Sequence, residues 1–325
     1  MERCALLLLA LGPAIVMGSA AAQEADTGSA ATTIEEITII GRYPGPPLWK
    51  VSSGERVLWI FGDLAPVPKG FDWDPRNAER VLERAETVIG APRVSATTLN
   101  PIRLFRILRA ARRLFRAPGG TTLADQLPPD LYARYRALHA RHMPADDEEE
   151  DVRPAIAALQ LYSAALDDVD LTNNSGVGRT IRRLMRRSHA AEAEIIIERE
   201  PEDLIEELGK VTREAELTCF ATIMTSIETD LQAMKERANA WAIGDVHALL
   251  RFDYPDSQGT CLAMLFSADG LLELRDELYA DWLAEAERAL ASHERSFSVL
   301  PMRELVATDG LLAQLAARGY TVTPP

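Results

Sequence analysis

Positive charge is scarce in this chain. Its 325 residues carry 35 Lys and Arg against 49 Asp and Glu, a formal net charge of −14. Binding a phosphate backbone needs a basic footprint, so nucleic acid is excluded as a partner, and the same surplus disfavours general adhesion to anionic lipid. Long hydrophobic runs are also missing. After the first 25 residues no stretch is apolar enough for a membrane helix, so no transmembrane segment is expected. Gly-x-Ser-x-Gly, Walker-type and dinucleotide fingerprints do not occur, nor does His-Glu-x-x-His.

What stands at the front is a targeting signal. "MERCALLLLALGPAIVMGSAAAQEA" has a short n-region with Arg3, an apolar run from Ala5 to Met17 and a small-residue exit. The run is too short to span a bilayer, and Gly12 and Pro13 interrupt it. Cleavage is expected near Ala22, releasing a periplasmic or secreted protein. Residues 23–44 begin small and polar and read as a flexible segment.

Cysteine is rare, and export gives the few cysteines a meaning. Loss of the signal peptide removes Cys4 and leaves Cys219 and Cys261. A pair in an oxidising compartment is expected to form a disulfide, worth about 3–4 kcal/mol for a loop of this length. Neither cysteine belongs to a Cys-x-x-Cys or has a histidine at ligand spacing, so a zinc site is not expected there.

The apolar pattern predicts an α/β fold. "LWKVSS" and "RVLWIFGDL" read as a hairpin around Ser53-Gly54-Glu55, followed by a helix opened by Asp74 and Pro75 and a short strand at "TVIGA". The chain then turns helical, interrupted by the acidic run Asp146–Asp151. "GVGRTIRRLMRRSHAAEA" reads as a helix leading into "EIIIERE", the most strand-like middle stretch, and further helices follow. "SFSVLPM" and "YTVTPP" are the closing strands, around a helix in "DGLLAQLAARG". Strands at both ends must meet to pair. The expectation is a central mixed sheet built from the N-terminal hairpin, a middle strand and the C-terminal strands, under a large, mainly helical cap. Residues 45–325 would form one domain, with a helical insertion at about 100–190.

The two ends carry a resemblance. "PPLWKVSSGERVLWIFGDLAPVPKG" at the front, with "ERANAWAIGDVHAL" and "SFSVLPMRELVATDGLLAQLAARGYTV" at the back, resembles the TraB/GumN family of exported and membrane proteins. That family in turn resembles the Tiki metalloproteases. The resemblance implies two strand-end loops, each with a Gly-x-x-His, plus a glutamate. These groups would hold a divalent metal that activates water.

This sequence departs at each point. The first motif falls on Gly62-Asp63-Leu64-Ala65, with Ala65 in the histidine position; the glutamate position is Ala91. The second motif falls on Pro301-Met302-Arg303-Glu304, where Pro301 replaces the glycine and Glu304 the histidine. A methyl group cannot ligate a metal, so the expectation is a degenerate cleft with no cofactor. Asp63, Glu304 and Glu198 would offer a rebuilt carboxylate site for calcium or magnesium only if they converged. The plainer assignment has Asp63 capping a turn and Glu304 at a helix start.

Two further features compete for function. His139 and His142 lie three apart on a predicted helix and read as surface residues, and His247 lies near a helix break inside the family-like segment. Arg103, Arg106, Arg109, Arg112, Arg113 and Arg116 recur at helical spacing, and Leu104, Phe105, Ile107, Leu108, Leu114 and Phe115 fill the other side, making a basic amphipathic helix. Such a helix binds an anionic lipid surface or an acidic partner, or else pairs with the chain's own acids. The sequence thus points first to an exported, catalytically degenerate relative that binds a polypeptide or cell-envelope component. An active metal-dependent hydrolase using Asp63 and Glu304, and an interaction protein using the basic helix, are the alternatives.

Overall fold

The computed structural model describes residues 45–325 apart from 72, 97–99, 144–150, 174–175, 256, 258 and 262–267. The expected signal peptide over residues 1–22, the segment 23–44 and residues 146–150 of the acidic run lie outside the described residues.

The strands are β1 (Leu48–Ser53), β2 (Arg56–Asp63), β3 (Val67–Pro68), β4 (Thr87–Ile89), β5 (Arg93–Ser95), β6 (Leu171–Thr172), β7 (Ala191–Ala193), β8 (Ile196–Glu198), β9 (Arg295–Pro301) and β10 (Thr321–Thr323). The first seven helices are α1 (Arg76–Leu82), α2 (Pro101–Phe115), α3 (Leu123–Gln126), α4 (Pro129–His142), α5 (Pro154–Asp168), α6 (Gly176–Arg187) and α7 (Pro201–Gly209). After them come α8 (Arg213–Thr229), α9 (Leu231–Ala242), α10 (Val246–Leu249), α11 (Ala268–Ser292), α12 (Met302–Val306) and α13 (Leu311–Ala317).

The chain's two ends make the sheet. β1 and β2 form the expected hairpin, with Gly54 taking the positive φ of 60° that a two-residue turn demands. β10 adds antiparallel to β1, and β9 adds parallel to β2, from Val57 opposite Arg295 to Asp63 opposite Pro301. β4 and β7 follow, giving a six-stranded mixed sheet in the order β10-β1-β2-β9-β4-β7. Leu58, Ile60, Phe61, Phe297 and Leu300 are buried on it, and Trp282 of α11 packs in the same core. The Ser298 hydroxyl ties this layer together: it accepts from Trp282 Nε1 and donates to the Ile89 carbonyl, both at 3.0 Å.

Two elements differ from the sequence reading. The middle strand that joins the sheet is β7, "AEA", which reads as the tail of a helix; β8, within "EIIIERE", pairs instead with β5 in a separate two-stranded sheet. Helix α6 stops at Arg187, and His189 adopts a left-handed φ of 57°, so the chain turns out of the helix and enters the sheet edge.

A second apolar core lies among the helices. Leu161 and Ala165 of α5 meet Phe220, Ile223 and Met224 of α8, with Cys219 and Cys261 fully buried among them. This core draws on residues well past 190, and it is stapled by the expected disulfide between Cys219 and Cys261. His139 and His142 belong to its margin. Both are buried rather than exposed, and His142 Nδ1 lies 2.9 Å from the Asp168 carboxylate. Among the described residues no helix is long and apolar enough to cross a membrane.

The disulfide sits in the helical core, so its loss weakens that layer first. Replacing Cys219 and Cys261 together by Ala lowers the unfolding free energy by about 3–4 kcal/mol in a denaturant titration. Thiol titration of the denatured, unreduced mature chain finds none; two free thiols would contradict the pairing.

Candidate functional site

Parallel strands end side by side, so the loops that follow them start side by side. β2 and β9 finish in register at Asp63 and Pro301, and the segments 63–66 and 301–303 line one cavity of about 270 Å³. The helical layer supplies its other wall through Tyr162, Met234, Arg237 and Tyr254. A second cavity of about 470 Å³ opens at the ends of β2, β4 and β9, where Phe61, Asp63, Gly90, Ala91 and Val299 meet Ile181, Arg182 and Arg186 of α6. Crevices at strand C-termini are where open α/β sheets bind ligands. Asp63 lines both cavities.

Close packing fixes the strand end. The Gly62 carbonyl accepts a 2.8 Å hydrogen bond from Trp241 Nε1, so the "NAWAIGD" segment holds the loop from below. A Cβ at Gly62 would lie 2.5 Å from Met302 Sδ and 2.6 Å from Trp49 Cζ3. Glycine is retained here for contact between the two loops, independently of any metal chemistry. The Ala65–Pro66 peptide is cis.

Charge in the first cavity is already committed. Arg237 is buried and donates in a fork to Asp230 at 2.8 and 3.1 Å, and to the Asp253 carbonyl at 2.9 Å. Its guanidinium lies 5.7 Å from the centre of the Tyr254 ring. Burial pushes the Tyr254 phenol up to about 12 against the opposing pull of Arg237, and its hydroxyl donates to the Leu249 carbonyl at 3.0 Å. It is no acid or base at neutral pH.

Asp63 is the perturbed group. Burial raises its carboxyl from 3.8 to about 6, opposed by a hydrogen bond from the Leu64 N–H and by the charge of Arg182. A group balanced near neutrality in a cleft is a site candidate.

The remaining sequence candidates fall as follows. Gly62, Asp63 and Ala65 come together with Pro301, Met302 and Arg303 at the first cavity, and Ala91 joins Asp63 at the second. Glu304 lies in the first turn of α12, buried and turned from the first cavity's lining. It accepts from Arg275 at 2.8 Å and from Arg303 Nε at 3.1 Å. Glu198 is exposed on β8 and lines neither cavity, and His247 is exposed on α10. The arginines Arg106, Arg109 and Arg112 are exposed on α2; the side chain of Arg113 lies outside the described residues.

A divalent metal does not fit these residues. Hydrolytic metals need three or more anionic or imidazole donors. Here the positions that the resemblance implies as ligands hold Ala65, Ala91 and a Glu304 engaged by two guanidiniums. Asp63 remains, with Arg182 and Arg303 among its cavity neighbours. Among the described residues no group of three or more His, Cys, Asp or Glu is placed to hold a metal.

Sequence reading missed Arg93, Arg237 and Tyr254 as cleft residues. Arg182 lies in the predicted helix "GVGRTIRRLMRRSHAAEA", and Trp241 in the family-like segment "ERANAWAIGDVHAL". Arg182, Arg237 and Trp241 lie on helices, Arg93 on β5 and Tyr254 in a loop, and only the meeting of these elements gives the cleft.

The sequence model of the TraB/PrgY/gumN family matches residues 47–324, most of the chain, and the protein belongs to that family. No curated protein and no solved structure matches the chain.

Asp63 yields a signed prediction. The folded chain keeps the Asp63 proton up to about pH 6, whereas an unfolded aspartate releases it near 3.8. Ionisation therefore costs stability as pH rises through that window, and the full cost is present above it. Asp63→Asn should be more stable than the wild type by about 1–3 kcal/mol at pH 7.5, with the gain vanishing near pH 4. Denaturant titrations at the two pH values check this; an Asn variant less stable at pH 7.5 would show that the ionised form is net favoured.

Proposed function

We propose that this member of the TraB/PrgY/gumN family is an exported binding or regulatory protein whose cleft has lost metal-dependent hydrolysis. Residues 45–325 act as one domain, released into the periplasm or secreted after cleavage near Ala22. The observation that carries the reading is the pair of strand-end loops. They still meet at one cavity, yet Ala65 and Pro301 stand where ligand and motif glycine belong, and Glu304 is held by Arg275 and Arg303.

Loss of the catalyst without loss of the cleft fits a protein that holds a ligand rather than cleaves it. The cavity combines apolar walls from Leu64, Pro66 and Met302 with polar groups from Asp63, Tyr254 and Arg303, the mixture a polypeptide segment requires. A polypeptide or cell-envelope component is the ligand class, by analogy with the Tiki-type proteases that the family resembles. The disulfide supports export, since such bonds persist in oxidising compartments. No cofactor is required.

Two measurements on the purified mature chain test this. Elemental analysis should find no stoichiometric divalent metal. One metal per chain, lost in an Asp63→Ala, Glu304→Ala double variant, would establish the active-hydrolase alternative instead. A permanently unfolded polypeptide, reduced and carboxymethylated lactalbumin, should bind by fluorescence anisotropy without being cut. Ala65→Trp fills the cavity from an exposed position and should weaken that binding roughly tenfold.

A further inference from the structure

Eight large hydrophobic side chains stand exposed among the described residues, and five of them, Ile102, Leu104, Phe105, Leu108 and Phe115, lie on α2. Ile102 is 70% exposed, Phe105 64% and Leu108 53%. The helix begins cleanly: Asn100 accepts from the Ile102 and Arg103 N–H groups, with Pro101 in the first turn. It is fastened to the body on one side. There Ile107, Ala110 and Leu114 are half-buried, and Arg103 forks onto Glu202 and reaches Glu200 at the start of α7.

The free side has a definite order. At about 100° per residue, Leu104, Leu108 and Phe115 fall on one flank and Arg106 and Arg109 on the other, with Phe105 and Arg112 along the seam. Among the described residues Arg109 and Arg112 form no ion pair, and Arg106 reaches Glu202 only through its charge, although the chain has an acidic surplus. α6 is richer in exposed arginine, but its Val177, Ile181 and Leu184 are buried, so it has nothing apolar to insert.

We propose that α2 is a peripheral docking helix for an anionic lipid surface. Leu104, Phe105, Leu108 and Phe115 enter the acyl boundary, and Arg106, Arg109 and Arg112 meet the headgroup phosphates. Charge complementarity selects this occupant. A body of net charge −14 is repelled by an anionic bilayer over most of its surface, and on α2 exposed arginines lie beside exposed large apolar side chains. Phe105, Leu108 and Phe115 line a surface groove of about 880 Å³ with Arg109 and Arg112, facing Val152 and Ile156, and arginine stems lie along apolar surface while their heads stay in water. The attachment is independent of the cleft and needs no spanning segment.

The mature chain is sedimented with sucrose-loaded vesicles of phosphatidylcholine, with and without roughly a third of phosphatidylglycerol, at about 0.1 M salt. It should pellet with the anionic vesicles alone. Arg106→Gln, Arg109→Gln and Arg112→Gln together should reduce partition on the order of 100-fold. Phe105→Ser with Leu108→Ser should do so comparably, whereas Ile243→Ser with Leu250→Ser, exposed elsewhere, leaves it unchanged. All these positions are exposed, so the variants keep the wild-type melting curve. Failure of the wild type to pellet, or partition indifferent to the α2 variants, would overturn the proposal. So would a wild-type dimer in sedimentation velocity that Phe105→Ser with Leu108→Ser makes monomeric, since a second copy would then cover the face. Binding of polyglutamate without binding of vesicles would assign the helix to an acidic polypeptide instead.

Discussion

Parallel pairing of β2 with β9 is the constraint on which the rest of the structure depends. The ladder joins residues 57–63 to residues 295–301, so helices α1 to α11 lie inside the loop it closes. Closing so long a loop costs entropy before any contact repays it. Repayment comes from concentrated burial: Leu58, Ile60, Phe61, Phe297 and Leu300 are all removed from water along two short strands. Ser298 then locks β9 to β4 and α11, and Trp241 fixes the Gly62 carbonyl where the ladder ends. Because the pairing is parallel, both strands release their loops on the same edge. The cleft is a consequence of that polarity, whether or not a metal is ever held in it.

The same geometry holds the two strand-end loops together by packing. Gly62 is held by steric contact with Met302 and Trp49, so it persists under packing alone. Gly310 is similar: a Cβ there would meet the carbonyls of Glu304, Leu305 and Ala307 within 2.9 Å, which backbone atoms cannot relieve. Ligand positions have no such support. Glu304 is buried, and a buried carboxylate demands a partner. Arg275 and Arg303 meet that demand. A buried carboxylate engaged by two guanidiniums is committed to structure, since withdrawing it leaves uncompensated charge.

How much of this was legible depends on the length and contrast of each element. The β1–β2 hairpin was readable because Leu58 and Ile60 alternate with half-buried neighbours and Gly54 marks the turn. β9 and β10 were readable from apolar runs bounded by breakers. β7 was not: three residues at a sheet edge, two of them exposed, carry neither the period nor the composition of a strand. "EIIIERE" had both and was placed in the central sheet, yet its pairing with β5 is set by where the chain leaves β4 and β7. His139 and His142 show the same limit. Spacing put them on one helix face, but the packing of α4 against α5 decided that this face is inside.

The site was legible as a set of positions and illegible as an electrostatic balance. Ala65, Ala91, Pro301 and Glu304 could be read off by matching motifs, and the two loops do meet. What surrounds Asp63 could not, because Arg182 comes from α6, Arg303 from the far end of the chain and Tyr254 from beyond α10. Burial alone would keep Asp63 protonated well above an ordinary aspartate; the Leu64 N–H and Arg182 bring it back towards neutrality. That compromise follows from three layers meeting at one strand end. The cleft's residual polarity is therefore a property of the fold's closure, and any ligand it holds must satisfy a carboxyl group poised between two protonation states beside guanidiniums that are already partly spent.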